Sequence, residues 1–344
     1  MPLSQRELQA LQSAGIIDAA TVRRIADFYR TQEPDRARFD LSHTAYYLGA
    51  LVVMSAMGWF MNEAWSRYGG IVLSGIALAY ALVFARAGER LWKTPGLRQA
   101  GGLLFTLAVW MTPLFVFGIQ HEFGWWPDAV QFDYGAYFRE IRGSWLVMEV
   151  TTVLLALAAL RLRPFPFLTF PLAFALWYLT MDLASFLVAG DYGMWDFEAR
   201  RIVTFLFGAT MLGVTYLIDR RTDEDYAYWL YLFGLLAFWC AFGIEEYGSL
   251  VYGLVNVLLM LLAIVLERKT FMVFGAIGVF VYLGYLSSEV FEDSLLFPAA
   301  LVLVGVAIIA CGVWLRKHEA EVDAALLRLI PAPIRAGLPR YRRA

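Results

Sequence analysis

Charge is scarce in this chain: Asp, Glu, Lys and Arg make up only 17% of 344 residues, and the formal net charge is −2. Such a composition leaves too little polar surface to cover an ordinary water-soluble domain. Lysine is nearly missing, with Lys93, Lys269 and Lys317 the only three against many arginines, a bias of the kind GC-rich bacterial genomes show. Cysteine is limited to Cys240 and Cys311, both inside apolar runs at different depths. A disulfide framework is therefore not expected, and each reads as a small buried apolar residue. The signatures Gly-x-x-x-x-Gly-Lys-[Ser/Thr], His-Glu-x-x-His, Cys-x-x-Cys and Gly-x-Ser-x-Gly do not occur, which removes P-loop, zincin, dithiol and nucleophile-elbow chemistry. His43, His121 and His318 stand apart in sequence. The chain thus leans away from an enzyme, and the sequence names no cofactor, metal site or nucleic-acid partner.

What is abundant is apolar surface, at 60% hydrophobic and 16% aromatic residues. A hydrocarbon core of about 30 Å needs about 20 apolar residues in a helix, whose backbone groups are satisfied internally. The qualifying runs are Thr44–Met61, Gly70–Arg86, Gly101–Ile119, Trp145–Leu160, Phe165–Ala189, Ile202–Ile218, Tyr226–Ile244, Leu250–Leu266, Phe271–Leu286 and Leu295–Leu315. The expected fold is all-α, a polytopic membrane bundle of about ten spans. No cleavable signal is apparent, because the first 43 residues are polar and helix-patterned; the first span is expected to act as an uncleaved anchor.

Basic residues orient the spans. With ten spans, one side receives Arg6 to Arg38, Arg86 to Arg98, Arg161 and Arg163, Arg220 and Arg221, Arg268 and Lys269, and every base from Arg316 onward, whereas the other receives only Arg67, Arg139, Arg142, Arg200 and Arg201. Both termini are expected on the cytoplasmic side. Residues 1–42 read as a short cytoplasmic helical hairpin: Ser4-x-x-Glu7 has capping-box form, Gly15 fits a helix stop and Asp18 fits the cap of a second helix. Residues 43–318 form the expected membrane domain and residues 319–344 a basic tail. The tail, ending Arg340-Tyr-Arg-Arg343, reads as an orientation signal that also attracts anionic lipid.

A weak repeat is visible, with Tyr68-Gly69 and Glu89-Arg90 around the second span echoed by Tyr247-Gly248 and Glu267-Arg268 around the eighth. If these are copies, spans one to four and seven to ten are parallel repeats of the kind some transporters use.

Ionisable groups within spans cost about 2.5–3.5 kcal/mol to insert, so they are candidate functional groups. Glu149 lies in the fourth span, Asp182 in the fifth, and Asn256 supplies a polar group in the eighth. Thr151, Thr152, Thr169 and Thr180 offer hydroxyls nearby. Glu63, Glu122, Glu245, Glu246, Glu289, Glu292 and Asp293 end spans on the expected outer side, with His121 among them. Two readings stand for these groups. In one, Glu149, Asp182 and some of Glu63, Glu245 and Glu289 line an outward acidic cavity for a cation, proton or metal. In the other, the helix-end acids are merely solvated, the intramembrane acids hold helices together, and Asn256 is interhelical glue. The aromatic stretch His121–Ser144 reads as an interfacial segment or as a lid, and Pro164, Pro166 and Pro171 predict a bent start to the fifth span.

Leu8, Leu11, Gly15-Ile16-Ile17, Ile25 and Phe28-Tyr29, followed by a first span at Tyr46-Tyr47-Leu48-Gly49, resemble a family of bacterial predicted membrane proteins catalogued as a domain of unknown function, DUF2157. The resemblance covers the first quarter of the chain. It implies a bacterial inner-membrane protein, and the family brings no activity to any residue. Three roles remain open: binding or transport of a small solute, ion or lipid-linked molecule; an envelope scaffold or sensor; and an intramembrane enzyme working with two carboxylates.

Overall fold

The computed structural model describes residues 41–64, 67, 69–125, 134–187, 197–222 and 224–290, together with 11, 16–18, 20, 21, 24, 302, 303, 305, 306, 310 and 317. Their regular structure is helical, without a strand among them. The helices are α1 (Leu41–Ala64), α2 (Gly70–Trp92), α3 (Arg98–Trp110), α4 (Thr112–Glu122), α5 (Tyr134–Leu162), α6 (Thr169–Leu187), α7 (Phe197–Asp219), α8 (Ala227–Glu246), α9 (Leu250–Leu266) and α10 (Lys269–Tyr285). A 3₁₀ turn, Pro166–Leu168, precedes α6, and a π turn, Leu286–Val290, follows α10.

The first nine expected runs all fall on helices. Among the described residues five stretches are long and apolar enough to cross a bilayer: Gly70–Trp92, Arg98–Glu122, Gly143–Leu162, Arg201–Asp219 and Lys269–Glu289. Thr44–Met57, Ala227–Gly243 and Leu250–Leu266 are shorter apolar helical segments. Most of the tenth run, the basic tail and nearly all of the hairpin lie outside the described residues. One element of the hairpin is visible: the Thr21 amide donates to Asp18 Oδ1 at 2.8 Å, the bond an N-cap makes.

The exposure pattern is that of a protein solvated by lipid. Large apolar side chains lie exposed in mid-helix, among them Leu51, Val83, Leu154, Leu254 and Phe280, while Ser74, Thr106, Glu149, Thr215 and Asn256 are buried. Broad exposed apolar faces are what a membrane covers. Cys240 belongs to this pattern as a correction: it is exposed and free on α8 rather than buried, because an apolar residue gains nothing by leaving a lipid-facing surface.

The chain divides into two compact units, residues 1–122 and 123–344. In the first, α2 packs on both α3 and α4, and α1 packs on α3. Gly70 rests on the backbone of Gly118 and Glu122, and Gly118 in turn on Gly70 and Ser74, so neither position has room for a side chain. Pro113, which has no N–H to donate, sits where α3 gives way to α4. In the second unit α8 is the hub, packing against α6, α7, α9 and α10. Tyr231 and Leu235 lie in a core with Leu259, Ala263 and Phe271, and Leu230 and Phe233 in another with Ala173 and Met211. The bent start expected for the fifth span takes the form of the 3₁₀ turn, led by Pro166, with the Thr169 hydroxyl donating to the Pro166 carbonyl at 2.7 Å.

Candidate functional site

Helices α5 and α6 are consecutive, joined by a short turn, and pack against each other. Glu149 lies thirteen residues before Leu162, the end of α5, and Asp182 thirteen residues after Thr169, the start of α6. At 1.5 Å per residue each is about 20 Å from the turn, so the two helices of the hairpin carry their acids to one level. The two carboxyl groups come close enough to interact electrostatically. Glu149 is only 7% exposed. Neither of its carboxyl oxygens has a hydrogen-bond partner. Two carboxylates facing each other in a buried site repel unless one of them carries a proton. With both ionised, the pair needs a cation between them.

The hydroxyls near the pair in sequence are taken up by backbone carbonyls. Thr152 and Thr180 are buried, but their hydroxyl protons go to the Met148 and Trp177 carbonyls, at 2.7 and 2.5 Å. Thr151 likewise donates to Val147 at 2.6 Å. Ser144, one turn from Glu149, donates to the Trp125 carbonyl at 2.9 Å. The rings of Trp145 and Tyr178 lie 6.4 Å apart between the same two helices. The second half of the expected aromatic lid is thus part of α5, which begins at Tyr134.

The other described candidates have contacts or surroundings of their own. Asn256 is fully buried and fastens helices: it accepts from Trp239 Nε1 on α8 at 2.9 Å and donates to the Tyr252 carbonyl at 2.8 Å. Glu63 forms an exposed ion pair with Arg67. Glu122 accepts from the Ile71 amide at 3.1 Å, capping the N-terminus of α2. Glu245 ends α8, and the side chain lies outside the described residues. Glu289 is exposed on the π turn. His121 lies 5.9 Å from the Phe117 ring. Among the described residues no three His, Cys, Asp or Glu side chains come together as metal ligands would.

One cluster escaped the sequence reading. Asp219, at the end of α7, is 1% exposed and accepts two hydrogen bonds from Arg268, one of them from Nε at 3.1 Å. The remaining Arg268 amino group donates to Asp225 at 2.7 Å, and Tyr231 donates to Asp219 at 3.4 Å. Glu267 takes a left-handed conformation, φ 53°, at the end of α9; this tight turn delivers Arg268 to its partners. Arg268 had looked like one more orientation charge. It is a fork-shaped clamp joining the end of α7, the loop before α8 and the turn after α9.

The N-terminal sequence pattern can be placed against this geometry. Residues 9–123 match the family described as "Predicted membrane protein (DUF2157)". No curated protein and no solved structure matches the chain. The family match runs beyond the first span, through α4, and stops where the first compact unit ends, at Glu122. Glu149, Asp182, Asn256 and the Arg268 clamp all lie outside it.

Proposed function

We propose that this membrane protein binds a small cation or a proton at the Glu149–Asp182 pair and carries it part of the way through the bilayer. The observation that supports the reading is a buried glutamate facing an aspartate from the adjacent helix, with no positive side chain or N–H donor at its oxygens. Intramembrane carboxylates of this kind mark ion and proton pathways. In the topology proposed here, about ten spans cross the bacterial inner membrane with both termini cytoplasmic, as the distribution of arginines favours, and the N-terminal hairpin lies on the cytoplasmic side. The pair then sits nearer the outer surface. The reading rests on Glu149 and Asp182 from the outward acidic cavity; Glu63, another candidate for its lining, forms an exposed ion pair with Arg67.

Thermal unfolding of the purified protein across pH and a panel of monovalent and divalent cations tests this. A ligand that binds only the folded state raises its melting temperature by mass action. The expected result is a pH- or cation-dependent stabilisation that disappears in Glu149→Gln and in Asp182→Asn. A wild type that no condition shifts, with variants that merely melt lower, would reject the binding reading and favour a scaffold or sensor.

A further inference from the structure

Helices α7 and α8 enclose a second feature, independent of the acidic pair. They touch where Gly208 meets Phe238: a Cβ at Gly208 would lie 2.5 Å from the Phe238 amide nitrogen and 2.8 Å from its Cα. From there toward the Arg201 end of α7 they frame a cleft of about 270 Å³, lined by Arg201, Ile202, Phe205, Leu206, Ala241 and Phe242. Its wall is aromatic, with Phe205 4.9 Å from Phe238 and 6.4 Å from Phe242. Its open side carries Ile202 and Leu206, 52% and 57% exposed, so it faces the surface that the bilayer covers.

The cleft has a cation at one end. Arg201, a half-buried residue, opens the apolar stretch Arg201–Asp219, the end at which a span meets the lipid phosphates, and Phe205 follows about 6 Å deeper, one helical turn on. Arg201 is already engaged within the protein. A guanidinium has five N–H donors, more than a single partner satisfies. A soluble anion would make no use of the aromatic wall, and a neutral isoprenoid or sterol would make no use of the arginine. We propose that this cleft binds one phospholipid with a net negative headgroup, its phosphate on Arg201 and one acyl chain along Phe205 and Phe242.

The test is native mass spectrometry of the full chain released from nanodiscs of equal phosphatidylglycerol and phosphatidylcholine. Every sample carries glutamine at Arg340, Arg342 and Arg343, so that attraction by the tail is not read. The protein is expected to retain one phosphatidylglycerol with a several-fold preference. Arg201→Gln should abolish the preference, and Leu206→Trp, an exposed position at the mouth of the cleft, should lower retention of both lipids. Equal retention of the two headgroups by the parent protein, or retention unchanged in Leu206→Trp, overturns the proposal. Should Arg201→Gln fail to fold, the parent preference and Leu206→Trp decide the matter.

Discussion

The two units use buried polar groups in different ways. In residues 1–122 polar groups act as fasteners: the buried Ser74 hydroxyl donates to the Phe115 carbonyl at 2.9 Å, and the exposed Glu122 caps α2. These contacts sit where Gly70 and Gly118 let two helices touch, the small-residue packing that holds helices together when lipid supplies no hydrophobic drive. In residues 123–344 some polar groups do the same, Asn256 and the Arg268 clamp above all. Glu149 differs, for what it meets is another acid. A buried polar group supplied with donors is an adhesive, while a buried carboxyl facing a carboxyl is stable only with something added from outside, a proton or a cation. The family resemblance covers the first unit and stops short of the second, so the shared part of the chain is the fastened part.

The contrast can be broken most sharply at the clamp. Arg268→Leu leaves Asp219 buried without its charged partner, and losing one member of a buried pair costs about 3–5 kcal/mol; chemical unfolding in mild detergent should show it as the largest loss of any single change named here. In the first unit, Gly118→Leu forces a side chain into the backbone of α2, and overpacking of this kind costs about 1–3 kcal/mol. Its melting temperature should fall, with that of Gly49→Leu unchanged, because nothing lies within 4 Å of a Cβ there. Asn256→Ala removes the Trp239 bond, and interhelical bonds in membranes average about 0.6 kcal/mol and reach about 1.7 kcal/mol, a smaller drop that leaves any ion response intact. If that response vanishes instead, Asn256 belongs to the site and the contrast drawn here is too sharp.

The smallest effect is local. Hydrogen bonds from the Thr21 hydroxyl and amide hold the Asp18 carboxyl below the usual carboxylate range. A group whose folded value is depressed stabilises above its ordinary value and loses that contribution as pH falls through the folded one. Amide exchange at Thr21 should therefore be slowed near neutral pH, with the slowing lost at strongly acidic pH and absent in Asp18→Ala.

Much of this was legible in the sequence. Nine apolar runs became helices because length and hydrophobicity leave the backbone no other way to satisfy itself in lipid. Glu149 and Asp182 were picked out only singly: their equal distance from the Pro-rich turn sets a common level, but whether the two side chains face each other depends on how α5 packs on α6. Asp219 and Arg268 were hidden, since they are forty-nine positions apart and their meeting depends on the left-handed turn at Glu267. Cys240 was misjudged because apolar character in this chain signals lipid contact as readily as burial. The helix-end acids looked alike in sequence, and only geometry separates Glu122, a cap, from Glu63, an exposed ion pair.

The central claim is that Glu149 and Asp182 form one site, and a double-mutant cycle measures that directly. Glu149→Gln, Asp182→Asn and the double variant would be unfolded at one pH in one detergent. The account predicts strong non-additivity, with a coupling of about 0.5–3 kcal/mol, as residues in direct contact show. Effects that add to within about 0.3–0.5 kcal/mol, the behaviour of independent positions, would contradict it.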